Sequence, residues 1–364
     1  MKKCLVIGAS SFIGVYTVEA FLEAGYVVVG TGRNPQFQNH YASLGVDYIK
    51  LDLDNPTGLS ALPTDVDAVI HLAGRLPANS TFDLESEDDA EKYIRTNTLG
   101  MAALLDWCRK NGIHKVISTT SYADVQNRWN PYECVTESWP RDFKLSGDHA
   151  AYVISKNAAC DLMSYYNEQY GMTNVMFRLP PVYGCGPHDS LRVNGLVKKS
   201  GIGLFIEKAR RGEPITVFGD AEAAVRDVVY VKDVAQAFVR SAESDEAKGL
   251  YNIGSGNPVS LLEQAETIAC AFEGKEGKSV VQVDSSRPND IAPYCFDITR
   301  AKQDFDYSPK YSVFRDLIED WKLEEERGVM PALFQVSAQG GGLNSKGIMT
   351  RVLFSDWTVM RRAA

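Results

Sequence analysis

The chain has 364 residues, 45% of them hydrophobic and 23% charged, the profile of a globular protein with room for one large α/β domain or two ordinary ones. A formal net charge of -9 argues against nucleic acid as a partner, and no apolar run is long enough to cross a bilayer. Seven scattered cysteines with no C-x-x-C pair read as free thiols in a reducing cytoplasm, and five histidines without ligand spacing predict no metal site.

The opening "MKKCLVIGAS" breaks at Gly8, too early for a signal sequence, and reads as a buried strand. Further β-branched runs follow: "YVVVGTG" (26–32), "VDYIKLD" (46–52), "DAVIHLAG" (67–74), "HKVISTT" (114–120) and "NVMFRLP" (174–180). Each is bounded by Gly, Asp or Pro, as buried parallel strands are. Between them, "VYTVEAFLEAG" and "DAEKYIRTNTLGMAALLDWCRKNG" read as helices that end at Gly25 and Gly112. Strand–helix alternation of this kind predicts an α/β, Rossmann-type doubly wound parallel sheet, with ligands at the carboxyl ends of its strands. After "YGCGP" (183–187) the rhythm loosens into shorter strands and helices. The expected division is a dinucleotide-binding domain over 1–182 with part of 225–260 interleaved, then a smaller substrate-binding lobe over 183–330. From about Pro331 the pattern is lost, and residues 331–364 are read as an extension of unknown role.

The first strand runs into "IGASSFIG", where a glycine turn opening a helix can bring backbone N–H groups to a pyrophosphate. Gly8, Ser10, Ser11, Phe12, Ile13 and Gly14 make that turn, with Ser11 standing where a middle glycine would be. The second strand ends in "GTGRN", with no acid to bind ribose hydroxyls and with Arg33, whose guanidinium suits a 2′-phosphate. The expected cofactor is therefore NADP, with NAD as the other possibility. A hydroxyl cluster, Ser118 to Ser121, closes the fifth strand. About thirty residues on, "AYVISKNAACDLM" sets Tyr152 and Lys156 four apart on one helical face. An ammonium beside a phenol favours the phenolate and draws its pKa down from about 10, making an acid/base for an alcohol.

Taken together, "VIGASSFIG", "DAVIHLAG", "RTNTLGMAALL", "VISTTS", "YVISK", "FRLPPVYGCGP", "ITVFGD", "VRDVVYVKDVAQAF", "YNIGSG" and "RPND" stand in an order that resembles a known family. It is that of the extended short-chain dehydrogenase/reductases, the NAD(P)-dependent epimerases and dehydratases of nucleotide sugars. The resemblance covers roughly residues 1 to 327. It implies Tyr152 as acid/base, Lys156 as the residue that lowers its pKa and holds the nicotinamide ribose, and Thr120 as the partner of a sugar hydroxyl. It also implies Asn97 near the active site, with Asp52 and Leu53 by the adenine. Leu72, Ala73, Gly74 and Pro180 would lie along the cofactor, Ser121 and Tyr122 by the sugar, and Arg226 and Arg287 on the diphosphate. It implies a homodimer through the helices from about Ala90 to Lys110 and from about Ala151 to Tyr170.

Three departures sit at the substrate end: Pro181 replaces the asparagine before "VYG", "YADV" follows the hydroxyl cluster, and Cys185 precedes Gly186-Pro187. The expected activity is hydride transfer at a sugar carbon, as in an epimerase or a 4-keto reductase. The alternatives are a carbonyl reductase for a non-nucleotide substrate and a cofactor-sensing regulator, which would have no need of the Tyr152, Lys156 and Thr120 set.

Overall fold

In the computed structural model the described residues are 2–76, 90–146, 149–187, 190–193, 196–274, 277–289 and 291–334. The runs expected as strands form β1 (Lys3–Ile7), β2 (Val27–Gly32), β3 (Asp47–Lys50), β4 (Ala68–His71), β5 (Val116–Ser121) and β6 (Val175–Leu179). With the strand Gly249–Asn252 at the β6 edge, they make one seven-stranded sheet in the order Gly249–Asn252, β6, β5, β4, β1, β2, β3. Every pairing in it is parallel. The order reverses between β1 and β4, so the ligand crevice of such a fold opens at the carboxyl ends of those two strands.

Period-two alternation divides the core. Leu5 and Ile7 of β1 join Val69, Val116, Leu104, Leu105 and Cys160 on one face, whereas Cys4 and Val6 join Ile70, Ile117 and Phe177 on the other. The first face lies under α4 (Gly100–Lys110) and α5 (Ala150–Tyr170). The second is covered by α1 (Phe12–Glu23), against which α7 (Val231–Glu243) packs. Residues from beyond 225 thus return to complete both the sheet and its helical layer. Four short pairings lie outside the main sheet: Ile215–Phe218 with Val281–Asp284, Val225–Arg226 with Val259–Ser260, Val182–Tyr183 with Val229–Tyr230, and Ser190–Val193 with Leu196–Lys199.

One expectation is corrected. Cys134 and Cys295, 161 residues apart, form a disulfide, so not all the thiols are free. The bond joins a loop after β5 to a segment before α9 (Thr299–Phe305). Backbone bonds from Val135 N to Cys295 O (2.8 Å) and from Asp297 N to Val135 O (3.0 Å) bring the two segments together there. Cys4, Cys108, Cys160 and Cys185 are buried free thiols, and Cys270 is exposed. The helical pattern also continues past Pro331: α11 spans Val329–Phe334, and a proline in the first turn of a helix forfeits no intrahelical bond. Phe334 closes this helix edge-on against Phe37, 5.5 Å between centroids. The rest of the expected extension, 335–364, lies outside the described residues. Among those residues, no helix is long and apolar enough to cross a membrane, and no group of three or more ligating side chains could hold a metal.

Candidate active site

The turn after β1 is built for close approach. Gly8 has φ +90, and a Cβ there would lie 2.5 Å from the amide nitrogen of Ala73 at the end of β4. A Cβ on Gly14 would run into the carbonyl of Gly8. Ser11, in the place of the missing glycine, is the N-cap of α1: its hydroxyl accepts from Gly14 N at 3.1 Å. The Phe12 ring is core, packed against Gly184 and Gly186 of the "YGCGP" turn, so Phe12 and Ile13 can serve a pyrophosphate only through backbone. Leu72, Ala73 and Gly74 leave β4 beside this turn, Leu72 N and Ala73 N donating to Ile7 O at 2.7 and 3.0 Å. Leu53 is buried against Gly100, Asp52 caps a turn by accepting from Asp54 N at 3.2 Å, and Pro180 is buried at the end of β6.

At the end of β2, the space for a Cβ on Gly32 is filled by Ser10 Oγ and the Tyr48 hydroxyl. An acidic side chain has no room at that position. Arg33 follows with an exposed side chain.

Asn97 sits in a π-helical turn, Ile94–Leu99, a local widening of the helix that feeds α4. Its Oδ1 accepts from Arg75 N at 2.7 Å, and its Nδ2 donates to Arg75 O at 3.1 Å and Ser155 Oγ at 2.9 Å. The amide therefore braces the Gly74–Arg75 turn against α5, one residue before Lys156. That places Asn97 beside the active-site helix, next to the turn that leaves β4.

Tyr152 and Lys156 do lie one turn apart on α5, Tyr152 half-buried and Lys156 buried. Their ionisation differs from the expectation. Burial, then the phenols of Tyr122 and Tyr93, hold the Tyr152 hydroxyl above its ordinary range. Burial brings Lys156 down to about 8. The physical reason is desolvation, which penalises both charged forms. Tyr152 is consequently a phenol at neutral pH, a proton donor before it is an acceptor.

Thr120 points to the α5 face of the sheet, in register with Val116 and Ser118. It is 4% exposed, and its Oγ1 has no hydrogen-bond partner among the described residues. Ser121 is engaged otherwise, as N-cap of the 3-10 segment Tyr122–Arg128, accepting from Ala123 N at 3.2 Å. Tyr122 stacks on Trp129 (5.3 Å, 4°), and Trp129 on Tyr294 (4.5 Å, 30°). Arg226 meets this cluster through its bridge to Tyr294. Arg287 does not share it: its side chain is 72% exposed, lies over the Phe218 ring at 5.2 Å and reaches toward Asp284 at 4.0 Å.

Behind Tyr122 lies an ion pair that sequence reading missed. Asp124 Oδ2 accepts from Arg178 Nε and Nη2 at 3.2 and 3.0 Å, both side chains essentially inaccessible. Arg178 Nη1 also donates to Asn252 Oδ1 and Thr136 O. The signal available was an arginine inside the apolar run "NVMFRLP", an expensive position unless paired. Trp129 and Tyr294 gave none, being 165 residues apart.

A doubly wound sheet with a glycine turn at its switch point and a Tyr–Lys helix beside it defines a dinucleotide-binding enzyme fold. Comparison with known proteins makes the class specific. The chain belongs to the NAD dependent epimerase/dehydratase family, whose profile matches residues 4–254, and is an enzyme of the extended short-chain dehydrogenase/reductase type. It is 27% identical over 303 residues to a putative UDP-glucose 4-epimerase of Methanocaldococcus jannaschii, covering 82% of this chain and 90% of that one. It is 26% identical over 320 residues to the UDP-glucose 4-epimerase of Mycolicibacterium smegmatis, covering 85% and 95%. UDP-glucuronic acid decarboxylase 2 of Arabidopsis thaliana is 24% identical over 321 residues, and the match spans 66% of its length. Among solved structures, the UDP-glucose 4-epimerase of Thermus thermophilus in complex with NAD superposes with TM-score 0.68 at 26% identity, covering 90% of this chain and 99% of that one. The cofactor class is accordingly a nicotinamide dinucleotide.

Proposed function

We propose that this protein transfers hydride at one carbon of a nucleotide-activated sugar, as a 4-epimerase or a 4-keto reductase. The observation that carries the reading is the unpartnered, buried Thr120 Oγ1 on the sheet face that α5 covers with Tyr152 and Lys156. A buried hydroxyl with no protein partner is costly, and a sugar hydroxyl or carbonyl oxygen would satisfy it. The bound nicotinamide supplies the hydride acceptor or donor. The chain holds the rest. The Gly8–Gly14 turn takes the pyrophosphate, Lys156 takes the ribose hydroxyls, and Thr120 orients the reacting oxygen. Tyr152 gives or takes its proton, and burial keeps the free phenol protonated, the form from which the reductive direction starts. Tyr122 and Arg226 bind the substrate beyond the reacting carbon. The substrate would sit between a cofactor domain over 1–182, with part of 225–260, and a lobe over 183–330. The relatives named above, UDP-glucose 4-epimerases, support the substrate class. Thermal-shift titration with nucleotide hexoses in the presence of NAD or NADP tests it: stabilisation by nucleotide sugars and not by free hexoses is expected, and its reverse would discard the reading. The outward placement of Arg287 favours a second reading, a carbonyl reductase for a substrate without a diphosphate.

For the cofactor, we propose NADP. Gly32 has no room for the acid that would bind ribose hydroxyls, and Arg33 is exposed beside it. NADP is expected to bind more tightly than NAD, and Arg33→Ala to lose that margin while leaving NAD binding unchanged. Equilibrium titration of both cofactors would refute this if NAD bound more tightly or the variant behaved as the parent.

We also propose a homodimer through α4 and α5. Leu99, Ile154, Tyr165 and Tyr170 are exposed apolar side chains on or beside these helices. Exposed apolar side chains on one helical pair are the surface that such an interface would bury. Sedimentation at micromolar concentration is expected to give twice the mass of the 40.2 kDa chain, and Ile154→Glu to give the monomer. A monomeric parent protein would contradict it.

A further inference from the structure

His71 is the last residue of β4, paired in register with Ile7 and Ser118. A histidine in the run "DAVIHLAG" is a polar side chain in an otherwise apolar strand, and it is 2% exposed. Alternation puts it on the same sheet face as Val69, the face under α4 and α5, together with Ser118 and Thr120.

Its hydrogen bonds determine its tautomer. Ser118 Oγ lies 3.0 Å from His71 O and 3.1 Å from His71 Nδ1. The serine has one proton. The carbonyl can only accept, so the hydroxyl donates to it and must accept from the ring. His71 is therefore the Nδ1–H tautomer, and Nε2 carries a bare lone pair. That Nε2 is buried and has no hydrogen-bond partner among the described residues. A buried acceptor left unmatched in this way is costly, so the fold keeps it where a donor can reach it.

The cation whose charge acts on the ring is Lys156. Burial, then the charge of Lys156, holds the imidazole down to about 3, so it is neutral at any working pH. Lys156 itself is buried on the α5 turn above this face. Asn97 and Thr98 are committed to Arg75 and Ser155, so they leave the Lys156 ammonium to other partners.

We propose that His71 is a positioning residue for Lys156: its Nε2 lone pair accepts from the Lys156 ammonium across one water and holds it under the nicotinamide ribose. The proposal rests on the reading of Lys156 as the ribose-binding residue. The imidazole never touches substrate. It supplies a neutral acceptor where a carboxylate would pair with the ammonium and neutralise its effect on Tyr152.

Two amide substitutions separate this role from packing. Asparagine can replace the Nδ1–H bond to Ser118 but not the Nε2 acceptor, and glutamine reaches the Nε2 position. His71→Gln is expected to keep turnover and cofactor affinity within about threefold, whereas His71→Asn lowers turnover roughly 10- to 100-fold, the effect of one hydrogen bond to a charged group. The melting temperatures of the two variants should be similar. The opposite order, Asn tolerated and Gln damaging, would show that only the Ser118 bond matters and overturn the proposal, as would equal damage from both. A second arm uses Lys156→Met. On that background, His71→Asn should cost nothing further in turnover, and an additive loss would overturn the proposal. If Lys156→Met alone leaves turnover and cofactor binding intact, the ribose-binding reading of Lys156 fails, a result distinct from every outcome of the first arm.

Discussion

Tyr152→Phe is expected to lower turnover roughly 100- to 10,000-fold, the range for loss of a positioned general acid or base, while cofactor affinity stays within about threefold. The substitution removes one oxygen from a half-buried ring that packs edge-on against Tyr93 at 6.3 Å, so the fold has no reason to change. The proton is a different matter. The Tyr152 phenol is held protonated by burial and by its neighbours Tyr122 and Tyr93. Neither neighbour stands on the α5 turn that Lys156 shares, so neither replaces it. The loss should appear in turnover and not in substrate affinity, because the missing interaction is made as the proton moves. Steady-state kinetics with a fluorescence titration of cofactor decides it. Near-normal turnover would remove Tyr152 from the mechanism.

Asp124→Ala is expected to cost about 3–5 kcal/mol of stability, the cost of leaving one partner of a buried ion pair uncompensated. Arg178 is 1% exposed, and two of its nitrogens are spent on the single oxygen Asp124 Oδ2. The consequence extends to the site. Asp124 lies in the 3-10 segment that carries Tyr122, and Asp124 O also accepts from Asp142 N at 2.8 Å. Arg178 ties the same region through Thr136 and Asn252 to the loop held by the Cys134–Cys295 bond. Urea unfolding should show a lower midpoint with an unchanged slope, and substrate affinity should fall with it. Stability within about 0.5 kcal/mol of the parent would mean that Arg178 finds another partner.

The parallel sheet was legible because its strands are fully buried and hence continuous in sequence, from "KCLVIG" to "NVMFRLP". The Tyr152–Lys156 spacing and the Gly8–Gly14 turn were legible for the same reason: both are local. What escaped was long-range or electrostatic. Cys134 and Cys295 pair across 161 residues, and neither has a neighbour in sequence that suggests it. The trio Tyr122, Trp129 and Tyr294 comes together only when the 294–296 segment pairs with Arg226 and Val135. Arg287, read from "SRPND" as a partner of Arg226, turns outward over Phe218. The Tyr152 pKa went the other way because a spacing shows who is near but not how dry the place is.

The central claim is hydride and single-proton chemistry at one sugar carbon, without loss of water. Eliminating water would need a second acid/base pair, and the residues after Thr120 do not offer one. Ser121 caps a turn, Tyr122 is stacked on Trp129, and Asp124 is locked to Arg178. The direct test is to incubate the protein with NADP or NAD, in both redox states, and candidate nucleotide hexoses and their 4-keto forms, and to follow the products by mass and by NMR. An isomer of unchanged mass, or a keto-sugar gaining two hydrogens, is the expected result. A product lighter by one water would contradict the account.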